Sequence, residues 1–149
     1  MTPGTFICDN EFKFRDGQRD KKILVVLNDG EDGYYLVLKM TSNPTYKSTK
    51  YGCHSNDRYP NFFCPRGSCC LEKDTWIQLD DFFEFDTAAL LSRHFAGKIN
   101  RIGVMRDDML RELLECASTC EDISPTQTTI VENTLRRLLE SQPAEPTQN

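Results

Sequence analysis

The chain has 149 residues, 38% of them hydrophobic, and a formal net charge of −5, a size that suits one core with a short appendage. No apolar run approaches the ~20 residues of a membrane span, and "MTPGTFICDNEFKF" lacks a signal peptide's basic start and apolar centre. The sequence therefore predicts a soluble, intracellular, cytoplasmic protein.

In chain order, "GTFICD" (4–9) reads as a short strand, and Asp16-Gly17 is a turn signal between two extended runs. "KKILVVLND" (21–29) contains five consecutive apolar residues, Ile23 to Leu27, which suits a strand buried on both faces. "NDGEDG" is turn chemistry, and "GYYLVLKMT" (33–41) is the returning strand of a hairpin. A loop over residues 42–70 follows, with no apolar rhythm. "TWIQL" (75–79) and "FFEFD" (82–86) are an extended pair separated by Asp80-Asp81. Asp86 caps a short helix, "TAALLSRHFA", that Gly97 stops. "KINRIGVM" (98–105) returns to strand. Asp107 or Asp108 caps a helix with Met109, Leu110, Leu113, Leu114 and Ala117 as its apolar stripe. Ser124, Pro125 and Gln127 form a capping box for a further helix over 125–141, predicted to form a hairpin with its predecessor. The tail 142–149 is predicted to be disordered. The fold class is mainly β with C-terminal helices: a small, strongly curved barrel over 1–122, then the extra helix in 123–141.

Charge is unevenly placed. Residues 39–73 carry six basic and two acidic groups, net +4, while 107–149 carry three and nine, net −6. A polyanion is drawn to the loop and repelled by the C-terminal third. The loop interleaves Tyr46, Tyr51, Tyr59, Phe62 and Phe63 with Lys47, Lys50, Arg58 and Arg66. A positive groove with aromatic faces is how single-stranded nucleic acid is held; the plainer reading packs some of these rings on the core.

Seven cysteines, an odd number without a secretion signal, argue against a disulfide framework. Cys53, His54, Cys64, Cys69 and Cys70 have the donor types for a zinc ion, but no CxxC pair. Free or buried thiols are the favoured reading, and no metal or cofactor is expected. Cys116 and Cys120 are expected to face a core or a partner.

The progression "KKILVVLN", "LVLKMTSN", "EKDTWIQLDDFFEFDTAALL" and "KINRIGVMRDDMLRELLECA" resembles the PemK/MazF toxins of type II toxin–antitoxin systems, over roughly residues 4–120. The resemblance implies an SH3-like barrel, a homodimer, and metal-independent, sequence-specific cleavage of single-stranded RNA (mRNA) that arrests growth. It also implies an antitoxin partner, with no membrane and no DNA contact from this chain. The family's Arg before the buried strand, its preceding acid and its strand-ending hydroxyl fall here on Lys21, Asp16 and Thr41, with Ser42 beside the last. Lys21 lacks the planar fork of Arg, and Arg19, two residues away on the same extended face, could supply it. Lys47, Lys50, Tyr51, Arg58, Tyr59 and Phe62 would grip the RNA. The bland readings are solvated flanking lysines, a routine Asp-Gly turn and a Thr-Ser strand end. The alternative function is a catalytically degenerate module that binds RNA or antitoxin on the same barrel.

Overall fold

A computed structural model describes residues 1–141; the expected disordered tail lies outside them. The elements are β1 (Thr5–Lys13), β2 (Arg19–Val26), β3 (Tyr34–Thr41), β4 (Gly52–His54), β5 (Asn61–Cys64), β6 (Thr75–Asp86), α1 (Thr87–Phe95), β7 (Ile99–Val104), α2 (Asp107–Ser118) and α3 (Pro125–Ser141). The strands form one antiparallel sheet in the order β4-β5-β6-β3-β2-β1-β7. The architecture is thus mainly β with C-terminal helices.

Alternation along the central strands serves two cores, because successive side chains point to opposite faces. Val25 and Leu27 of β2 join Leu36, Leu38, Phe6 and Phe62 in the larger core, which α2 covers. Leu24 and Val26 join Ile7, Tyr35 and Val37 in a second core, under Leu90 of α1. The two-faced burial expected for residues 23–27 holds from Leu24 onward, whereas Ile23 is 38% exposed. Phe62 near one sheet end and Phe6 near the other share a core, so the sheet is curled. Its outer strands β4 and β7 do not pair, so the sheet is not closed by hydrogen bonds. The turn after β5 lies over β7 instead: Arg106 N donates to Cys69 Sγ at 3.3 Å. Gly103 allows this approach, since a Cβ there would stand 2.5 Å from Cys70 Sγ.

Three local expectations need correction. The segment 42–70 is not a structureless loop, because β4 and β5 form a hairpin within it. The two runs 75–79 and 82–86 are one twelve-residue strand, β6. Met40 faces Ile77 and Leu38 faces Phe82, so two steps on β3 meet five on β6. That bulge at Asp80-Asp81 lets Leu79 and Phe82 both reach the larger core. Finally, Arg106 rather than Asp107 or Asp108 is the N-cap of α2, without a side-chain bond; both aspartates occupy the first turn, where the helix dipole favours them.

The other caps stand as expected. Asp86 accepts from Ala89 N at 2.9 Å. Ser124 Oγ accepts from Gln127 N at 3.1 Å, while Gln127 Oε1 accepts from Ser124 N at 3.0 Å. α3 docks on its own chain. Val131 enters the larger core beside α2, Gln127 Nε2 donates to Glu84 at 3.0 Å, and Arg137 pairs with Asp29 at 3.1 Å. Arg93 of α1 makes two hydrogen bonds to the fully buried Asp9, at 3.0 and 2.5 Å, which satisfies a carboxylate that burial would otherwise penalise. No helix among the described residues is long and apolar enough to cross a membrane.

Candidate functional site

The β2–β3 ladder ends at the pair Leu24↔Lys39. Past that pair an open cleft of about 580 Å³ forms, walled by Lys21–Ile23, Met40–Ser42, Cys70–Lys73, Thr75 and Ile102. Of the predicted catalytic residues, Lys21, Thr41 and Ser42 line it together. Alternation from Val25 puts Ile23 and Lys21 on the side of the larger core, and Met40 places Ser42 there too. Thr41 alternates away at the rim, where its Oγ1 accepts from Asn43 N at 3.1 Å. Asp16 and Arg19 are not in the lining. Asp16 Oδ1 accepts from Gln18 N at 3.0 Å within its own turn. Arg19 is exposed at the start of β2, opposite Lys13.

The cleft holds two charged residues that the sequence reading passed over, Glu72 and Lys73. Both follow Leu71, whose burial anchors the turn against the core; a charged pair after a lone leucine is too common a pattern to single out. The cleft charges are Lys21, Lys22 and Lys73 against Glu72. Among the described residues none of these lysines forms an ion pair, so the cleft has positive charge available to a ligand. Partial burial, and then the nearby Lys39 ammonium, push the Lys22 amine below its ordinary pKa.

A second cleft, of about 290 Å³, adjoins the first through the same chain segment. Asn43, Thr45, Tyr46 and Lys47 form one wall; Tyr59, Pro60, Gln78 and Asp80 form the other. Asx geometry shapes this segment, as Asn43 Oδ1 accepts from both Thr45 N and Thr45 Oγ1. Trp76 anchors it by donating Nε1 to Ser48 O at 2.8 Å. The Arg58 guanidinium lies 4.9 Å from the Tyr46 ring centre and 5.5 Å from that of Tyr59. Lys47 Nζ is 5.5 Å from the Tyr59 ring centre.

The predicted RNA-gripping residues therefore divide. Lys47, Arg58 and Tyr59 cluster with Tyr46, at the second cleft. Lys50 is exposed at the loop surface, its carbonyl bonded to the His54 ring at 2.6 Å. Tyr51 turns toward α2, where burial and then the nearby Glu112 carboxylate raise the pKa of its hydroxyl. Phe62 is fully buried in the larger core, which corrects its assignment as a stacking surface. The apolar face of β5 takes it inside.

The cysteines also differ from expectation. Cys53 of β4 and Cys116 of α2 form a disulfide with Cα atoms 5.6 Å apart, so neither is a free thiol and Cys53 is not a zinc ligand. Cys64 and Cys120 are buried thiols, their pKa values pushed up to about 12 and about 11, chiefly by burial. Cys70 is exposed at the edge of the first cleft. Among the described residues no group of three or more His, Cys, Asp or Glu is placed to hold a metal ion. No protein-family model matches the chain, and no curated protein matches it.

Proposed function

We propose that the chain is a sequence-specific endoribonuclease of the PemK/MazF toxin type, built on an incompletely closed SH3-like barrel and cutting single-stranded RNA in the β2–β3 cleft. The observation that carries this reading is the cleft's inventory: unpaired Lys21 and Lys73, the Ser42 and Thr41 hydroxyls and one carboxylate, Glu72, beside a cation–aromatic loop. Cleavage by the RNA's own 2′-hydroxyl needs a base, a donor for the phosphorane oxygens and an acid for the leaving 5′-oxygen. Glu72 takes the 2′-proton in place of Asp16. Lys73 and Ser42 stabilise the developing charge, and the Lys21 ammonium protonates the leaving oxygen. The lysines supply the positive charge, so the reaction is metal-independent. The protein partners are an antitoxin whose flexible segment fills the cleft and a second copy of the chain. The site of action is the cytoplasm.

Incubation of the purified protein with a long RNA in EDTA tests the reading. Products with a 2′,3′-cyclic phosphate or 3′-phosphate and a 5′-hydroxyl are expected. Cleavage abolished by chelation and restored by Mg²⁺ would refute the mechanism. The second reading, a degenerate binding module, is favoured by one observation: no arginine lines the cleft. Expression in bacteria separates the two, since the nuclease arrests growth and the module does not.

A further inference from the structure

We propose that the second cleft selects guanine in single-stranded RNA, reading the base's donor edge with Asp80 and Gln78 while Tyr46 or Tyr59 supplies the stacking face. The proposal rests on the RNA-binding reading above and adds to it the identity of one base.

At about 290 Å³ the cleft lies at the small end of ligand sites, a size for one base rather than a length of chain. Its position fits a base adjacent to the scissile phosphate. Thr41 and Ser42 line the first cleft, and Asn43, Thr45, Tyr46 and Lys47 line the second, so one RNA strand can run along this segment from one cleft into the other.

The far wall offers two acceptors without a protein donor among the described residues, Gln78 Oε1 and the Asp80 carboxylate. Gln78 Oε1 is buried and receives no hydrogen bond from any protein donor among the described residues. Asn61, directly across the β5–β6 ladder, holds a buried Oδ1 in the same condition. Asp80 is exposed, and its carboxylate forms no ion pair among the described residues. An unpaired carboxylate facing a basic segment across the cleft repels phosphate, so its favourable use is against a base edge. A carboxylate is acceptor-only and binds best where two N–H groups lie side by side. Guanine alone among the four RNA bases has that pair, the ring N1–H and the exocyclic N2–H₂. Adenine and cytosine place a ring acceptor beside their amino group, and uracil flanks its single N–H with two carbonyls. Each of these sets acceptor against acceptor at Asp80, which is discrimination by repulsion as well as by attraction.

Stacking completes the site. Tyr46 is 67% exposed, and its φ of 59° holds the ring out from the loop in a left-handed backbone conformation. Arg58 lies 4.9 Å and the Tyr59 ring 6.2 Å from its ring centre, so a base would stack on the ring's exposed surface beside this cluster.

The test is fluorescence anisotropy of the full chain with 2′-O-methyl oligomers UUXUU, which have no free 2′-hydroxyl to attack. With X as guanine, affinity should exceed that for X as adenine, cytosine or uracil by about 10-fold, the scale of a good bidentate base pairing. Inosine, which lacks only the N2 amino group, should lose most of that gain. In the Asp80→Asn variant, guanine and uracil oligomers should bind equally. Measurable binding without a guanine preference, or a preference that survives Asp80→Asn, overturns the base assignment and leaves the RNA reading standing. Absence of binding to every oligomer overturns both.

Discussion

The central strands and the inserted segment of residues 42–74 are held by different means. β1, β2, β3 and β6 are clamped between two apolar cores, with Phe6, Leu24, Val25, Val26, Leu36, Val37 and Leu38 wholly buried. The inserted segment buries Phe62, Phe63, Cys64 and Leu71, and outside β5 its order comes largely from single bonds: the Cys53–Cys116 disulfide, the Trp76–Ser48 hydrogen bond and the Asn43 turn. Both clefts draw a wall from the insert. A rigid two-faced sheet thus carries a binding segment that is fastened at a few points, a common division between scaffold and site.

The largest effect should come from the scaffold. Phe6→Ala removes a fully buried ring from the larger core and should cost about 3–5 kcal/mol, read by urea unfolding. A loss below about 1 kcal/mol would mean that the sheet is not clamped as described. Opening the insert should cost somewhat less. The disulfide spans 63 residues of sequence, and replacing both cysteines with serine should destabilise by roughly 2–4 kcal/mol. The distinguishing readout is hydrogen exchange. Amides of residues 48–64 should lose protection while those of β1–β3 keep theirs; uniform loss across the sheet would erase the contrast between the two regions.

This contrast also explains which features were legible in the sequence. The run Leu24–Leu27, the stripe of α2 and the caps Asp86 and Ser124 are local patterns that burial and hydrogen bonding translate directly into structure. Lys21, Thr41 and Ser42 come together because they flank one hairpin whose ends the sequence marks. Glu72 and Lys73 reach the same cleft through a turn whose path depends on Leu71 and Gly103, residues with no motif around them. Phe62 looked like one more aromatic in a basic loop, because the β4–β5 hairpin is too short to show alternation. The disulfide was hidden for a related reason. Pairing needs Cα atoms within a narrow range, and only the folded sheet brings β4 to α2.

A smaller effect concerns two of the buried thiols, Cys64 on the insert's second strand and Cys120 after α2. Both ionise from 9.0 when unfolded, but only at about 12 and about 11 in the fold. Below pH 9 both states hold these protons and stability is unaffected. Above it the unfolded chain releases protons that the folded one retains, so stability falls by about 1.4 kcal/mol per thiol per pH unit. Lys22, with its pKa lowered in the fold, acts in the opposite direction. The Cys64→Ala/Cys120→Ala double variant therefore isolates the thiols. Its stability should change less between pH 8 and pH 10 than that of the parent, and an identical change would refute their role.

The smallest effect tests one fastening of the insert by itself. Trp76 is 2% exposed on β6 and stacks against Phe63, with ring centres 4.8 Å apart. Its Nε1 donates to Ser48 O, the only hydrogen bond found between β6 and residues 45–50 among the described residues. Trp76→Phe keeps an aromatic ring against Phe63 but deletes the donor. The cost should be about 1 kcal/mol, the net worth of one hydrogen bond plus the carbonyl left behind. What matters is where the effect appears. If Ser48 is a fastening point, the variant should broaden or shift amide resonances of residues 43–50, which form a wall of the second cleft, and leave those of β1 and β2 in place. Affinity for a guanine-containing oligomer should then fall more than overall stability does, because a loosened wall must be ordered again on binding. Unchanged resonances over 43–50, with the same loss of stability, would show that the segment is held by its own Asx turn and not by the sheet.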